Sequence, residues 1–172
     1  METMQAIFER RSVRAFTEKK LTNEQIESIL RAGMYAPSAR NTRTWAFITV
    51  TEPNTLLALK ATAPNWKPLQ SAPLCIAVCG YEESMLPENA ESLVQNGAAA
   101  TENMLLCIHD MGFGAVWLGI NPQKPHYLPT KALLGIPEDV RVVALMAVGE
   151  PKEPPAQPAE RYEPEKWHKE RW

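Results

Sequence analysis

The chain has 172 residues, 45% of them hydrophobic, with 18 Lys and Arg set against 20 Asp and Glu. That length and apolar content suit one globular domain with its own core and exclude a disordered chain. The near-neutral balance lacks the global basic field of a nucleic-acid binder, and no uninterrupted apolar run approaches the roughly 18 residues of a membrane span.

In chain order, Thr3 to Arg10 is apolar at Met4, Ile7 and Phe8, the pattern of a short helix ending at a cluster of arginines. The charges in METMQAIFERR stand where a secretory leader needs an apolar run, so the protein is expected in the cytoplasm. A second helix is signalled by TNEQIESILRAGMYA: Thr22 and Gln25 have capping-box spacing, and Ile26, Ile29, Leu30 and Gly33 share one face. Pro37 closes it. The loop PSARNTRT leads to WAFITVTE, whose aromatic and β-branched content predicts a strand. Asn54 to Thr62 reads as helix, and the nearly continuous apolar run from Ala72 to Tyr81 as a strand buried on both faces.

From Glu88 to about Met111 a long helix is apolar on most sides and must be enclosed. Gly112 and Gly114 stop it, AVWLGI makes a short strand, TKALLG a small helix, and Val140 to Glu150 the last strand. Four strands and five helices without regular βαβ alternation place the chain in the α+β class. Residues 1–150 form the domain. Beyond them Pro151, Pro154, Pro155, Pro158 and Pro164 favour an extended arm, yet it carries Tyr162, Trp167 and Trp172, apolar surfaces that need a packing partner. The expectation is an arm laid across a second subunit of a two-fold dimer.

Chemistry of the protein's own is scarce. Cys75, Cys79 and Cys107 sit among apolar residues, an odd count that speaks for core positions in a reducing compartment. No serine occupies a nucleophile elbow, and His109, His126 and His168 lack the spacing of a metal site. GFGAVW follows a helix and lacks the third glycine of a dinucleotide fingerprint. An enzyme of this composition leaves its hard chemistry to a bound cofactor.

One stretch stands out: FERRSVRAF, with Arg10, Arg11 and Arg14 around Ser12. Two readings are open. Arg10 and Arg11 can complement the negative end of the first helix, each contact contributing about 0.3–1 kcal/mol. Alternatively, because Val13 and Phe16 turn the chain inward, the guanidinium groups are drawn off bulk water and want a paired anion. Planar forks and a hydroxyl at one point suit a phosphate.

RRSVRAF, APSARNTRTWAF, GFGAVWLGI and an arginine in a proline-rich tail after VALMAVGEP, in that order, resemble the FMN-dependent nitroreductase family, and the ending RYEPEKWHKERW resembles its small homodimeric branch. The resemblance spans essentially the whole chain. It implies a central mixed β-sheet flanked by helices, a C-terminal arm exchanged between subunits, and FMN at the dimer interface. Arg10, Arg11, Ser12 and Arg14 would hold the ribityl phosphate and the polar ring edge, with Arg161 returning to the phosphate. Pro37, Ser38, Ala39 and Asn41 would cover the flavin from the other subunit. Trp117, Leu118 and Gly119 would run past the reactive part of the ring.

Each position also has an ordinary structural reading: PSARN as a helix-terminating turn, Trp117 as core. The family's frequent Gln-Pro before the tryptophan is here Arg43-Thr44, so Arg40 and Arg43 become candidates for gating substrate. Asn65, Lys67 and Gln70 fall where some members contact the ring edge, and no role is assigned to them. The implied activity passes hydride from NADH or NADPH through flavin to an electron-poor acceptor such as a nitroaromatic or quinone, donor and acceptor using the site in turn. Alternatives on the same scaffold are a flavin-binding sensor without turnover, a dehalogenase or a flavin-cleaving enzyme, and outside it a flavin-free interaction dimer. The partners this implies are a second copy of the chain and a small-molecule acceptor; neither a nucleic acid nor a membrane is called for.

Overall fold

A computed structural model describes residues 2–81 and 90–172. Its elements follow the order α1 (Thr3–Glu9), α2 (Asn23–Met34), β1 (Trp45–Val50), α3 (Pro53–Thr62), β2 (Leu74–Tyr81), α4 (Ala90–Asp110), β3 (Gly114–Gly119), α5 (Tyr127–Leu133) and β4 (Val140–Gly149). Short 3-10 turns at Ala39–Asn41, Lys67–Gln70 and Pro164–Lys166 were not legible as elements in the sequence. Glu88 and Asn89, the expected start of the long helix, lie outside the described residues. Among the described residues no helix is long and apolar enough to cross a membrane.

The helix ends follow local chemistry. At the head of α2, the Thr22 side chain accepts from the Gln25 N–H while Gln25 accepts from the Thr22 N–H, so two otherwise orphaned donors satisfy each other. At the tail of α4, Gly112 takes φ 78° and the Phe113 N–H reaches back to the Ile108 carbonyl, a close that a side chain at Gly112 would strain. The small helix forms three residues earlier than TKALLG predicts. Tyr127 is buried and its hydroxyl accepts from the Val142 N–H, which ties the first turn of α5 to β4. Pro129 is tolerated there because first-turn N–H groups have no partner within the helix.

The sheet has the order β1-β2-β4-β3 and its four strands pair antiparallel. The parallel component is a bridge between Ser12 and Ala115 on β3. Side chains of β2 alternate between two cores: Cys75, Ala77 and Cys79 face Leu56 and Leu59 of α3 with Trp66 and Tyr127, while Leu74, Ile76 and Val78 face Ile29 of α2 and Met104, Leu105 and Ile108 of α4. A strand covered on both faces is why its sequence is an unbroken apolar run. The enclosed helix α4 packs on α2 and on the sheet.

Two features of this frame position the site. First, residues 12–17 run along the free side of β3 and the exit of β4: the Val13 N–H donates to Ala115 O at 2.9 Å and the Thr17 N–H to Glu150 O at 2.9 Å. Gly114 makes this approach possible, since a Cβ there would lie 2.6 Å from Val13 Cγ2. Second, the chain leaving β4 donates from Lys152 N–H to Ala15 O at 3.0 Å and then continues as the arm. From Glu153 onward the arm is exposed except at Pro158.

Candidate functional site

The segment after α1 and the root of the arm form the two walls of a cleft of about 730 Å³. Arg11, Ser12 and Arg14 line one wall; Lys152, Glu153 and Arg161 belong to the other. Its size falls within the range of small-molecule sites, about 300–1,000 Å³. Arg11 is the most constrained of these residues. Its Nη1 donates to the Arg10 carbonyl at the end of α1, which realises part of the helix-end reading, while its Nη2 is buried without a hydrogen-bond acceptor among the described residues. Desolvation first, and then the neighbouring charges of Arg161 and Arg10, pull the Arg11 pKa below its ordinary value. Guanidinium groups that repel one another around a buried unpaired donor are stabilised by an anion more than by water.

A phosphate, with roughly −1.5 to −2 charge and three acceptor oxygens, matches that donor set. The residues present therefore fit the phosphate of a flavin mononucleotide. Arg14 is exposed and donates to the Ser12 carbonyl at 3.3 Å. Arg10 is turned away from the cleft. Its Nε lies 3.3 Å from Glu102 Oε1 on α4, an ion pair without hydrogen-bond alignment.

β3 carries the next group. It is an edge strand of the sheet, and past the Val13 contact its outer side continues through Trp117, Leu118 and Gly119. The three differ in what they offer. Trp117 is 37% exposed, Leu118 is packed into the core so that only its backbone is presented, and a Cβ at Gly119 would meet nothing within 4 Å. Packing within the chain thus does not require glycine at 119, whereas the close approach of a flat ring to the backbone would. The Gly119 carbonyl is held from behind by Trp66, whose Nε1 donates to it at 3.3 Å. Trp66 is fully buried and meets the His126 ring edge-on at 5.1 Å.

Pro37, Ser38, Ala39, Arg40, Asn41 and Arg43 line no part of the arginine cleft. They build a separate loop with unusual backbone: Arg40, Asn41 and Arg43 all have positive φ, 52°, 55° and 47°. Such a backbone costs on the order of 1–3 kcal/mol per residue and persists only when surroundings fix it. Here the Asn41 N–H donates to Ser38 O at 2.9 Å, the Thr42 N–H to Ala39 O at 3.1 Å and the Arg43 N–H to Ser38 Oγ at 3.0 Å. Asn65, Lys67 and Gln70 are exposed around the 3-10 turn whose Pro68 and Leu69 are buried.

The cysteines are poor nucleophiles. Burial pushes the Cys75 thiol up to about 12 and Cys79 to about 11, and raises Cys107 as well. Among the described residues no group of His, Cys, Asp and Glu is placed to hold a metal ion. Sequence reading missed Lys152, Glu153, Glu102, Trp66 and the loop's internal bracing. Of these, Lys152 had a signal, since it directly follows the strand-ending GEP that was used to place the tail arginine.

The frame and the cleft together define a three-layer α+β protein with an arginine-walled anion site beside an open sheet edge. The model of the Nitroreductase family matches residues 7–150, and the chain belongs to that family. An Archaeoglobus fulgidus protein provisionally named NADH dehydrogenase/NAD(P)H nitroreductase is 34% identical over 99% of both chains. A solved structure from Bacteroides thetaiotaomicron with the same provisional name superposes with a TM-score of 0.92 at 31% identity, covering 99% of this chain and 98% of that one. Another, a provisionally named nitroreductase from Desulfovibrio desulfuricans in complex with FMN, has a TM-score of 0.82 at 28% identity and covers 100% and 98%.

Proposed function

We propose that the chain is an NAD(P)H-dependent flavin oxidoreductase that holds FMN by its phosphate in the arginine cleft and works as a homodimer. The observation that carries this reading is the meeting of Arg11, Ser12, Arg14 and Arg161 on one cleft, with Arg11 Nη2 buried and unpaired among the described residues. Family membership and the FMN complex of the Desulfovibrio relative support the choice of ligand. The name of the Archaeoglobus relative supports NAD(P)H as donor. When bound there, FMN would supply two-electron chemistry for hydride transfer from NAD(P)H to an electron-poor acceptor such as a nitroaromatic or quinone, with donor and acceptor occupying the site alternately.

The protein's part is to bind and orient. Arg11, Arg14 and Arg161 neutralise the phosphate, with Ser12 as a further donor, and Arg10 braces their segment through Glu102. The backbone of Leu118 and Gly119 gives a flat ring a close wall, and Trp117 closes its side. Pro37, Ser38, Ala39 and Asn41 act from the second chain, Asn41 offering a donor and an acceptor to the uracil-like edge. Arg40 and Arg43, exposed on the same loop, favour anionic acceptors. No protein acid or base is required; near-attack placement of donor and ring, about 3–3.5 Å apart, is the catalytic task.

Several surfaces support the dimer. Met4, Ile7 and Phe8 of α1, Met34 and Tyr35 at the end of α2, and Tyr162, Trp167 and Trp172 of the arm are all exposed in the single chain. Apolar area of this extent is characteristic of interfaces. The free cysteines support a reducing, cytoplasmic setting. The test is the visible spectrum of the purified protein before and after NADPH is added under nitrogen. A yellow protein that bleaches is expected. A colourless protein that takes up no added FMN overturns the proposal, and a yellow one that fails to bleach with either nicotinamide reduces it to a flavin-binding protein.

A further inference from the structure

The loop at 38–43 poses an energetic question. Three residues without glycine's freedom hold positive φ, two of them arginines. Most of the loop's hydrogen bonds are internal, and bonds within a short loop do not fix where the loop sits. Apart from its junction with β1, among the described residues one side chain outside it hydrogen-bonds into it: Asn96 of α4, whose Oδ1 accepts from the Ala39 N–H at 2.9 Å. Ala39 is the hub of the loop. Its carbonyl accepts from the Thr42 N–H at 3.1 Å and from the Thr42 hydroxyl at 2.9 Å, so whatever holds the Ala39 peptide holds the turn that presents Arg40 and Asn41.

Asn96 is well suited to hold it. It is 5% exposed, on a helix enclosed by α2 and the sheet, and neighbouring Gly97 lies so close to β4 that a Cβ there would be 2.7 Å from Val143 Cγ1. The helix cannot shift to accommodate the loop; the loop must accommodate the helix. The Ala39 donor also fixes which way the carboxamide is turned, leaving Nδ2 buried with no partner among the described residues. A buried amide half of whose capacity is unmet costs stability. In a purely structural position an apolar side chain would avoid that cost.

We propose that Asn96 is a positioning residue: its carboxamide oxygen, fixed on α4, pins the Ala39 peptide and thereby holds the strained 38–43 loop in the shape that presents Asn41 to the flavin. The inference rests on the flavin-binding reading above and assigns a role to a residue on another element, remote in sequence from every motif of the site.

The experiment is a double-mutant cycle read by FMN affinity and by amide hydrogen exchange on the flavin-free protein. Asn96→Leu removes the acceptor while keeping volume. It should weaken FMN binding about fivefold, the equivalent of one hydrogen bond, and raise exchange across residues 39–43 while exchange in β2 and β4 stays unchanged. Asn41→Ala alone should also weaken binding. In the double variant the losses should fail to multiply, because each removes the same presented group. Asn96→Asp, which keeps the acceptor, should recover most of the affinity.

If the parent binds FMN and Asn96→Leu binds it equally well, or if the two losses multiply as independent factors, the positioning role is overturned and the flavin reading stands. If the parent binds no FMN, both fall. Should Asn96→Leu lose the native exchange pattern throughout β2 and β4, Asn96 is a core residue of general importance and the specific role is rejected.

Discussion

The two walls of the arginine cleft are made differently. Residues 12–17 are stitched to β3 and to the exit of β4, with Val13 and Phe16 buried beneath them. Among the described residues the opposite wall makes no backbone hydrogen bond to the body after Lys152, and apart from Pro158 its side chains from Glu153 onward, including Arg161, are exposed. One wall is set by the fold. The other has no comparable anchor among the described residues, and three large aromatics at its end are exposed, Tyr162 and Trp167 at 63% and 64% and Trp172 wholly. A site with one rigid and one adaptable wall is completed by what it binds: an anion across the arginines and a second chain under the arm.

The strongest way to break this picture is to remove one cation from each wall. Each charge-assisted contact contributes roughly 1.5–3 kcal/mol, so Arg11→Ala with Arg161→Ala should weaken FMN binding by at least about 100-fold in a fluorescence titration. A loss below threefold would remove the phosphate from the cleft. Next in size is the arm itself. Trp167→Ser with Trp172→Ser removes two side chains each worth about 1.5–3 kcal/mol when buried, and should shift the dimer–monomer midpoint in sedimentation to markedly higher concentration. Urea unfolding of the isolated chain should change little, because neither tryptophan is buried in it. Equal masses for parent and variant at low micromolar concentration would show that the arm packs on nothing.

The anchored wall makes the opposite prediction. In Gly114→Ala the new methyl would fall 2.6 Å from Val13 Cγ2, and relieving that overlap should cost about 2 kcal/mol in urea unfolding without altering concentration dependence. If Val13 simply turns aside and stability is unchanged, residues 12–17 are less firmly held than their hydrogen bonds suggest.

How much of this could be read from residues alone follows the same division. The rigid parts announce themselves: the reciprocal cap of Thr22 and Gln25, the unbroken apolar run of β2 and the glycine that closes α4 are each local sequence patterns with a local cause. The family motifs placed Arg11, Ser12, Arg14 and Arg161, and these four do share a cleft. What stayed hidden depends on contacts distant in sequence. PSARNTRT contains no glycine, so nothing in its composition reveals three positive-φ residues, and Asn96 looks like any polar residue on a helix until Ala39 is seen to donate to it. Trp66 lies between the patterned segments, although a tryptophan followed by Pro68 and Leu69 has the composition of a buried turn. Arg10 was grouped with its neighbours, and only the position of Glu102 separates it from them.

The smallest expected effect lies where the two walls meet. Glu150 accepts from the Thr17 hydroxyl at 2.8 Å and from Lys19 Nζ at 2.7 Å, so the last residue before the arm is tied to the anchored segment by one carboxylate. The Lys19 hydrogen bond chiefly, and the Thr17 hydroxyl after it, hold the Glu150 pKa below the ordinary glutamate value. A carboxylate whose folded-state pKa is lowered binds fewer protons folded than unfolded, so its contribution is complete above the unfolded pKa and disappears as pH falls through the folded one. The stability gap between the parent and Glu150→Gln should therefore be full at pH 7 and close as the pH falls below the ordinary glutamate range. Solvent and salt screen the pair, so the gap should also narrow at high ionic strength. A gap that persists unchanged in acid would mean that the charge of Glu150 contributes nothing to holding the walls together.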